Sequence, residues 1–226
     1  LPSLFLSCCS TTSDMKSFII NSVLLVALCV LIGHVSGDSA LDFQYILNGA
    51  YSDVEQVSQD VPDQPKHDDS VLKFVPVSVP ILQGRVIFFE QRTNGVLYRR
   101  ELWHIISNFN NGVEIVVYNF TNSFAADFDL NASIAALTEG DLHGDTDCPA
   151  SSRELSGGVF VGTKTDCRDS SNGIHPAYDG TAMCNTLIIR VPLDASEATP
   201  QGSYVFTRSN DRFPIPNVPD GYQFPC

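Results

Sequence analysis

Residues 85–106 read RVIFFEQRTNGVLYRRELWHII, two β-like runs on either side of Asn94-Gly95. Asn-Gly is the strongest short hairpin signal, because a two-residue type I′ turn needs positive φ at both central positions. With Asn94 and Gly95 in those positions Thr93 pairs with Val96. The register then predicts Glu90 opposite Arg99, Phe88 opposite Glu101 and Val86 opposite Trp103, all on one face. The other face carries Ile87, Phe89, Gln91, Tyr98, Arg100, Leu102, His104 and Ile106. Neither face is cleanly apolar, which argues against a sandwich strand with one dry and one wet side. A barrel whose interior holds a ligand reads this way. The plainer reading makes Glu90 and Arg99 a surface cross-strand ion pair of about 0.2–1 kcal/mol, with Trp103 merely in the core.

Upstream, Phe18 to Ile32 is an apolar run too short for a comfortable membrane span. Met15-Lys16 supplies a start and a positive charge before it, and Val35-Ser36-Gly37 supplies small residues after it, so residues 15–37 are expected to be a signal peptide cleaved after Gly37. The expected destination is extracellular. Residues 1–14 precede the first methionine, carry Cys8-Cys9 without a targeting pattern, and are read as an upstream segment foreign to the native protein. Residues 38–226 have the size of one domain, long enough for a real core.

Cys148, Cys167, Cys184 and Cys226 remain in that domain. In a secreted chain an even set without C-x-x-C spacing reads as two disulfides rather than a zinc site, and three connectivities are open. The favoured one joins Cys148 to Cys167, closing a local loop, and Cys184 to Cys226, pinning the tail. A net charge of -13 disfavours nucleic acid and anionic membrane surfaces as partners and leaves cations as plausible company. Two sequons, Asn119-Phe120-Thr121 and Asn131-Ala132-Ser133, are open to glycosylation in this compartment.

Phe43, Ile46, Leu47, Ala50, Val54 and Val57 recur at helical spacing, with Ser39 or Asp38 placed to cap the start, and predict one amphipathic helix. Residues 59–70 form a polar connector. Strands are expected over 71–79, 85–92, 96–107, 113–121, 154–163, 181–191 and 203–208. Glycosylation of Asn119 would fix the outward face of its strand and turn Glu114, Val116, Tyr118 and Phe120 inward. Residues 123–137 hold a short helix or a packed loop. Pro214, Pro216, Pro219 and Pro225 keep the tail out of any sheet interior. No Gly-x-Ser-x-Gly elbow, H-E-x-x-H helix or phosphate loop is present, so hydrolase and NTPase readings fall away and no catalytic or metal-ligating residue is assigned. His104 reads as a core or hydrogen-bonded histidine. Glu139, Asp141, Asp145 and Asp147 crowd one loop without EF-hand spacing and read as a solvated acidic loop.

These pieces together resemble the CpcT/CpeT family, the T-type bilin lyases of phycobiliprotein assembly. The likeness spans most of residues 41–208. Glu90-Gln91, the turn and Tyr98-Arg99 match the family's Glu-Gln, hairpin, Tyr-Arg-x-Arg motif. Cys148, Phe160-Val161-Gly162 and Cys167 match its cysteine, Phe-x-Gly, cysteine signature, and Gly202-Ser203-Tyr204-Val205-Phe206 resembles its closing strand. The resemblance implies a short helix followed by an antiparallel calycin-like or lipocalin-like β-barrel, and a linear tetrapyrrole as the ligand. Glu101 stands where the family has its second arginine, with Arg100 beside it, and the acidic-arginine and Trp-Gly segment before the last strand is absent around residues 194–200. In a barrel lumen two arginines would suit two propionates. A carboxylate can instead accept from pyrrole N–H groups.

The expected function is a secreted, non-catalytic barrel that binds a small apolar or bilin-like molecule through Glu90, Gln91, Tyr98, Arg99, Glu101, Trp103 and Tyr118. A second expectation is an acidic extracellular matrix protein of a calcified tissue or shell, associating with Ca²⁺ or mineral through its acidic face. A third, carried by the resemblance, is a bilin lyase; a secreted chain meets no phycobiliprotein acceptor.

Overall fold

Asp38 caps the first described helix. Its carboxylate accepts hydrogen bonds from the backbone N–H groups of Ala40 and Leu41, at 3.1 and 3.2 Å, and caps helix α1, Ser39–Leu47. The predicted helix does not continue to Val57. The chain leaves it at Asn48 and Gly49, whose φ is 141°, forms strand β1 over Gly49–Ser52, and makes only a single further turn, α2, over Val54–Val57. Helical spacing of Ala50 and Val54 was therefore coincidental: Tyr51 is instead buried by pairing opposite Leu72.

The structure is a computed structural model describing residues 38–61, 67–108, 111–121, 129–165, 177–190, 203–209 and 211–226. The expected signal segment, residues 1–14, Cys167 and part of residues 123–137 lie outside the described residues. Strands β2 (Ser70–Val79), β3 (Leu82–Thr93), β4 (Val96–Asn108) and β5 (Gly112–Phe120) fall where four strands were expected. Helix α3 (Leu130–Ala135) and β6 (Leu142–Gly144) come next. The expected single strand over 154–163 is two, β7 (Ala150–Ser156) and β8 (Val159–Lys164), because Gly157 and Gly158 both take positive φ and turn the chain. The expected strand over 181–191 likewise divides into β9 (Tyr178–Ala182) and β10 (Thr186–Arg190), closed by a 2.8 Å hydrogen bond from the Met183 N–H to the Thr186 carbonyl. β11 is Tyr204–Arg208.

The order β4-β3-β2-β1-β11-β10-β9-β8-β7-β5, with β4 also pairing β5, closes a ten-stranded antiparallel barrel. The fold is mainly β and consistent with the expected calycin-like barrel. Its interior is filled near one end by α1: Phe43, Ile46 and Leu47 pack with Leu72, Phe74, Ile87, Ile105, Phe160 and Phe206. Phe43 meets Phe160 edge-on at 5.1 Å. The Gln44 amide donates to the Val86 carbonyl at 2.8 Å, fastening the helix to the wall.

A second apolar layer lies outside the barrel. Val77, Val79, Val86, Phe88 and Leu102 turn outward and are covered by Ile134 of α3, with Tyr118, Phe120 and Leu142 against them. This layer explains why both faces of β3 and β4 carry apolar residues: the outer face is covered at Val86, Phe88 and Leu102 as the inner one is. The tail lies alongside α1, where the Tyr222 hydroxyl donates to Asp42 at 3.0 Å and Tyr45 stacks on Phe224 at 4.1 Å. The Cys184–Cys226 disulfide holds its end, as expected. Cys148 is also disulfide-bonded. No helix among the described residues is long and apolar enough to cross a membrane.

Candidate functional site

Asn94 and Gly95 take φ of 52° and 76°, and Thr93 pairs with Val96, so the turn forms as its two residues dictate. Beyond it the register departs from the simple count. Arg92 faces Leu97 and Gln91 faces Arg99, leaving Tyr98 as an extra, bulged residue. Every later pair is displaced by one: Glu90 faces Arg100, Phe89 faces Glu101 and Ile87 faces Trp103. One inserted residue therefore moves Glu90 to the opposite face from Arg99, Glu101 and Trp103.

On the outer face Glu90 accepts from Arg100 at 2.7 Å and Arg92 at 2.9 Å. Burial alone would raise its carboxyl, but these two guanidinium groups outweigh it and hold the group below the usual glutamate range. Tyr98 is 69 % exposed on the hairpin tip. Tyr118 packs in the outer apolar layer. The expected inward set on β5 is also reversed: Val113 and Ile115 join the inner core, while Glu114 is exposed. Of the seven expected ligand residues, the barrel brings together Gln91, Arg99, Glu101 and Trp103, and sets Glu90, Tyr98 and Tyr118 outside.

Those four form a layer inside the barrel beyond the aromatic core. Glu101 is only 2 % exposed and accepts from the Trp103 indole at 2.8 Å and from Arg99 at 3.3 Å. Arg99 also donates to the Gln91 side-chain carbonyl at 2.9 Å and lies over the Phe89 ring, 5.2 Å from its centre. Trp103 stacks on Phe89 with centres 4.9 Å apart, and Phe74 meets Trp103 edge-on at 5.4 Å. Asn119, opposite Glu101 in the β4–β5 register, shares this inner face.

The facing wall contributes residues that the sequence did not single out. Phe160 pairs with Ala182, Gly162 with Gly180 and Lys164 with Tyr178, all on the lumen side. Burial pushes the Tyr178 phenol up to about 12, Arg99 opposing and Glu101 adding to the rise, which places it in the field of both. Lys164, 1 % exposed, donates to the Cys148 carbonyl at 2.6 Å and to Asp145 at 3.3 Å. Asp145 is thus a buried partner of a lysine rather than part of a solvated loop. A side chain at Gly180 would meet only the Ile188 carbonyl oxygen, 3.9 Å away, among the described residues. Tyr178-x-Gly180-x-Ala182 is an alternation that becomes readable only once β9 is separated from β10.

A concavity of about 650 Å³ lies elsewhere, on the outer face of β5 and β7–β10, where Arg153, Thr163, Asp179, Thr181 and Arg190 line it. Trp103 and the other residues of the lumen layer on β3 and β4 are not among those lining it. Chemically the lumen layer offers flat aromatic surface, a guanidinium, a carboxylate that accepts N–H donors and a phenol that stays protonated. Comparison with family models and with curated proteins finds no match to this chain.

Proposed function

We propose that the protein is an extracellular, non-catalytic binding barrel that takes a flat, conjugated, carboxylate-bearing small molecule between the Phe89 and Trp103 wall and the Tyr178 and Gly180 wall. The observation that carries this reading is Glu101, almost wholly buried inside the barrel and bonded to both an indole and an arginine. In a purely structural lumen the Glu101–Arg99 pair, exchanged as a whole, would give way to apolar packing at little loss. Arg99 supplies a planar donor fork for a carboxylate. Aromatic stacking supplies affinity for a conjugated plane.

A linear tetrapyrrole meets each of these requirements: an extended π system, propionates for Arg99 and pyrrole N–H donors for Glu101. Expression of the full chain in cells that produce a linear tetrapyrrole tests the reading. Purified protein should carry visible absorption bands that Arg99→Ala removes, with folding verified by far-ultraviolet circular dichroism. A colourless wild-type protein, or bands indifferent to Arg99→Ala, would overturn it.

A further inference from the structure

The two sequons differ in placement: Asn131 is exposed on a helix, while Asn119 is only partly exposed within a paired strand. Asn131 stands exposed on the first turn of α3 and lines a groove of about 350 Å³ with Pro76, Pro80, Ile134, Ile215 and Pro216. Asn119 faces the lumen side of β5, between Glu101 of β4 and His143 of β6. We propose that Asn131 is the glycosylated residue of this chain, that its innermost N-acetylglucosamine lies in this proline-lined groove, and that Asn119 is unmodified.

Modification joins the carboxamide nitrogen of Asn131 to the anomeric carbon of an oligosaccharide delivered on a lipid diphosphate. The bond from that carbon to the diphosphate oxygen breaks, the lipid diphosphate leaves with the electron pair, and the amide proton passes to the transferase. No oxidant or reductant is involved. Ser133 supplies the hydroxyl the sequon requires.

A pyranose presents one C–H face and a polar rim. The proline and isoleucine side chains of the groove match the C–H face, and the rim is left to water. The covalent link holds the sugar at high effective concentration, so weak contacts suffice to seat it. The same sugar on Asn119 would be attached before the chain folds and would have to fit where β4, β5 and β6 pair and where Glu101 is buried. Barrel closure excludes it.

The inference rests on the extracellular reading and is independent of ligand binding. Its test uses the full chain made in secretory eukaryotic cells, once as it stands and once behind an added leader that ensures entry. Enzymatic removal of glycans in heavy-oxygen water, followed by peptide mass spectrometry, marks each asparagine that carried sugar. With the added leader, label at Asn131 alone is expected. Label at Asn119 in folded secreted protein, or at neither site, overturns the assignment. The chain without added leader reports separately on the signal segment, so the two failures are distinguishable. For the groove, amide exchange over residues 76–80 and 214–218 should be several-fold slower in protein trimmed to a single sugar than in Asn131→Gln. Equal exchange overturns the seating.

Discussion

The indole of Trp103 donates a 2.8 Å hydrogen bond to Glu101, two residues before it on the inner face of β4. Strand geometry sets both side chains on one face, and the Tyr98 bulge makes that face the lumen. Glu101→Leu removes the acceptor of both Trp103 and Arg99 and is expected to lower the unfolding free energy by about 2–4 kcal/mol. Trp103→Phe removes the donor and part of the ring contact with Phe74 and Phe89, at an expected cost of about 2–3 kcal/mol. Urea unfolding of the two single variants and the double variant should show coupling between the sites; strictly additive losses would mean the bond contributes nothing.

Lys164 and Asp145 are the most deeply buried ion pair among the described residues. Removal of either partner leaves a charge in the interior, so Lys164→Met and Asp145→Leu are each expected to cost about 3–5 kcal/mol. The double variant should recover much of that loss. Equilibrium unfolding measures all three, and a double variant less stable than either single one would contradict the pairing.

Gly162 and Gly180 pair with one another across β8 and β9 yet face different surroundings. A Cβ at Gly162 would lie 2.6 Å from the Ser151 carbonyl oxygen, whereas one at Gly180 would meet, among the described residues, only the Ile188 carbonyl oxygen at an unstrained 3.9 Å. Gly180→Val is therefore expected to be neutral or stabilising by up to about 1 kcal/mol, since it adds a strand-favouring side chain without collision. Gly162→Val is expected to destabilise. Thermal unfolding separates them. Gly180→Val should also weaken ligand binding, because it occupies the space the ligand would use.

Glu90 titrates below the ordinary glutamate value of 4.5 in the folded chain, since Arg100 and Arg92 outweigh the effect of burial. Its contribution to stability is complete above that value and disappears as pH falls through the lower folded value. The stability difference between wild type and Glu90→Gln is thus expected to be constant near neutrality and to close in acid. Urea midpoints measured across the acid range check it; a gap that widens with falling pH would contradict the sign.

Much of the barrel was legible because alternation and turn chemistry are local. β2 to β5 end within a few residues of their expected bounds, and Asn94-Gly95 turned as its composition requires. The side-chain partners were not legible, because a single bulged residue, Tyr98, inverts the face of everything beyond it and nothing in its type announces the bulge. Gly157-Gly158 was a readable turn signal inside the expected 154–163 strand. Lys164 and Asp145 carried no signal, since their pairing depends on a contact between the end of β8 and a loop that only the closed sheet brings together.

Trp103 is the single tryptophan of the chain and stands in the proposed site, so its fluorescence reports directly on whether the lumen layer takes a ligand. The decisive measurement is titration of purified protein with a linear tetrapyrrole. Saturable quenching with half-saturation below about 10 μM is expected, shifted about tenfold, or ~1.4 kcal/mol, by Arg99→Ala. Quenching that never saturates, or that is identical in Arg99→Ala, would contradict a binding role for the barrel interior.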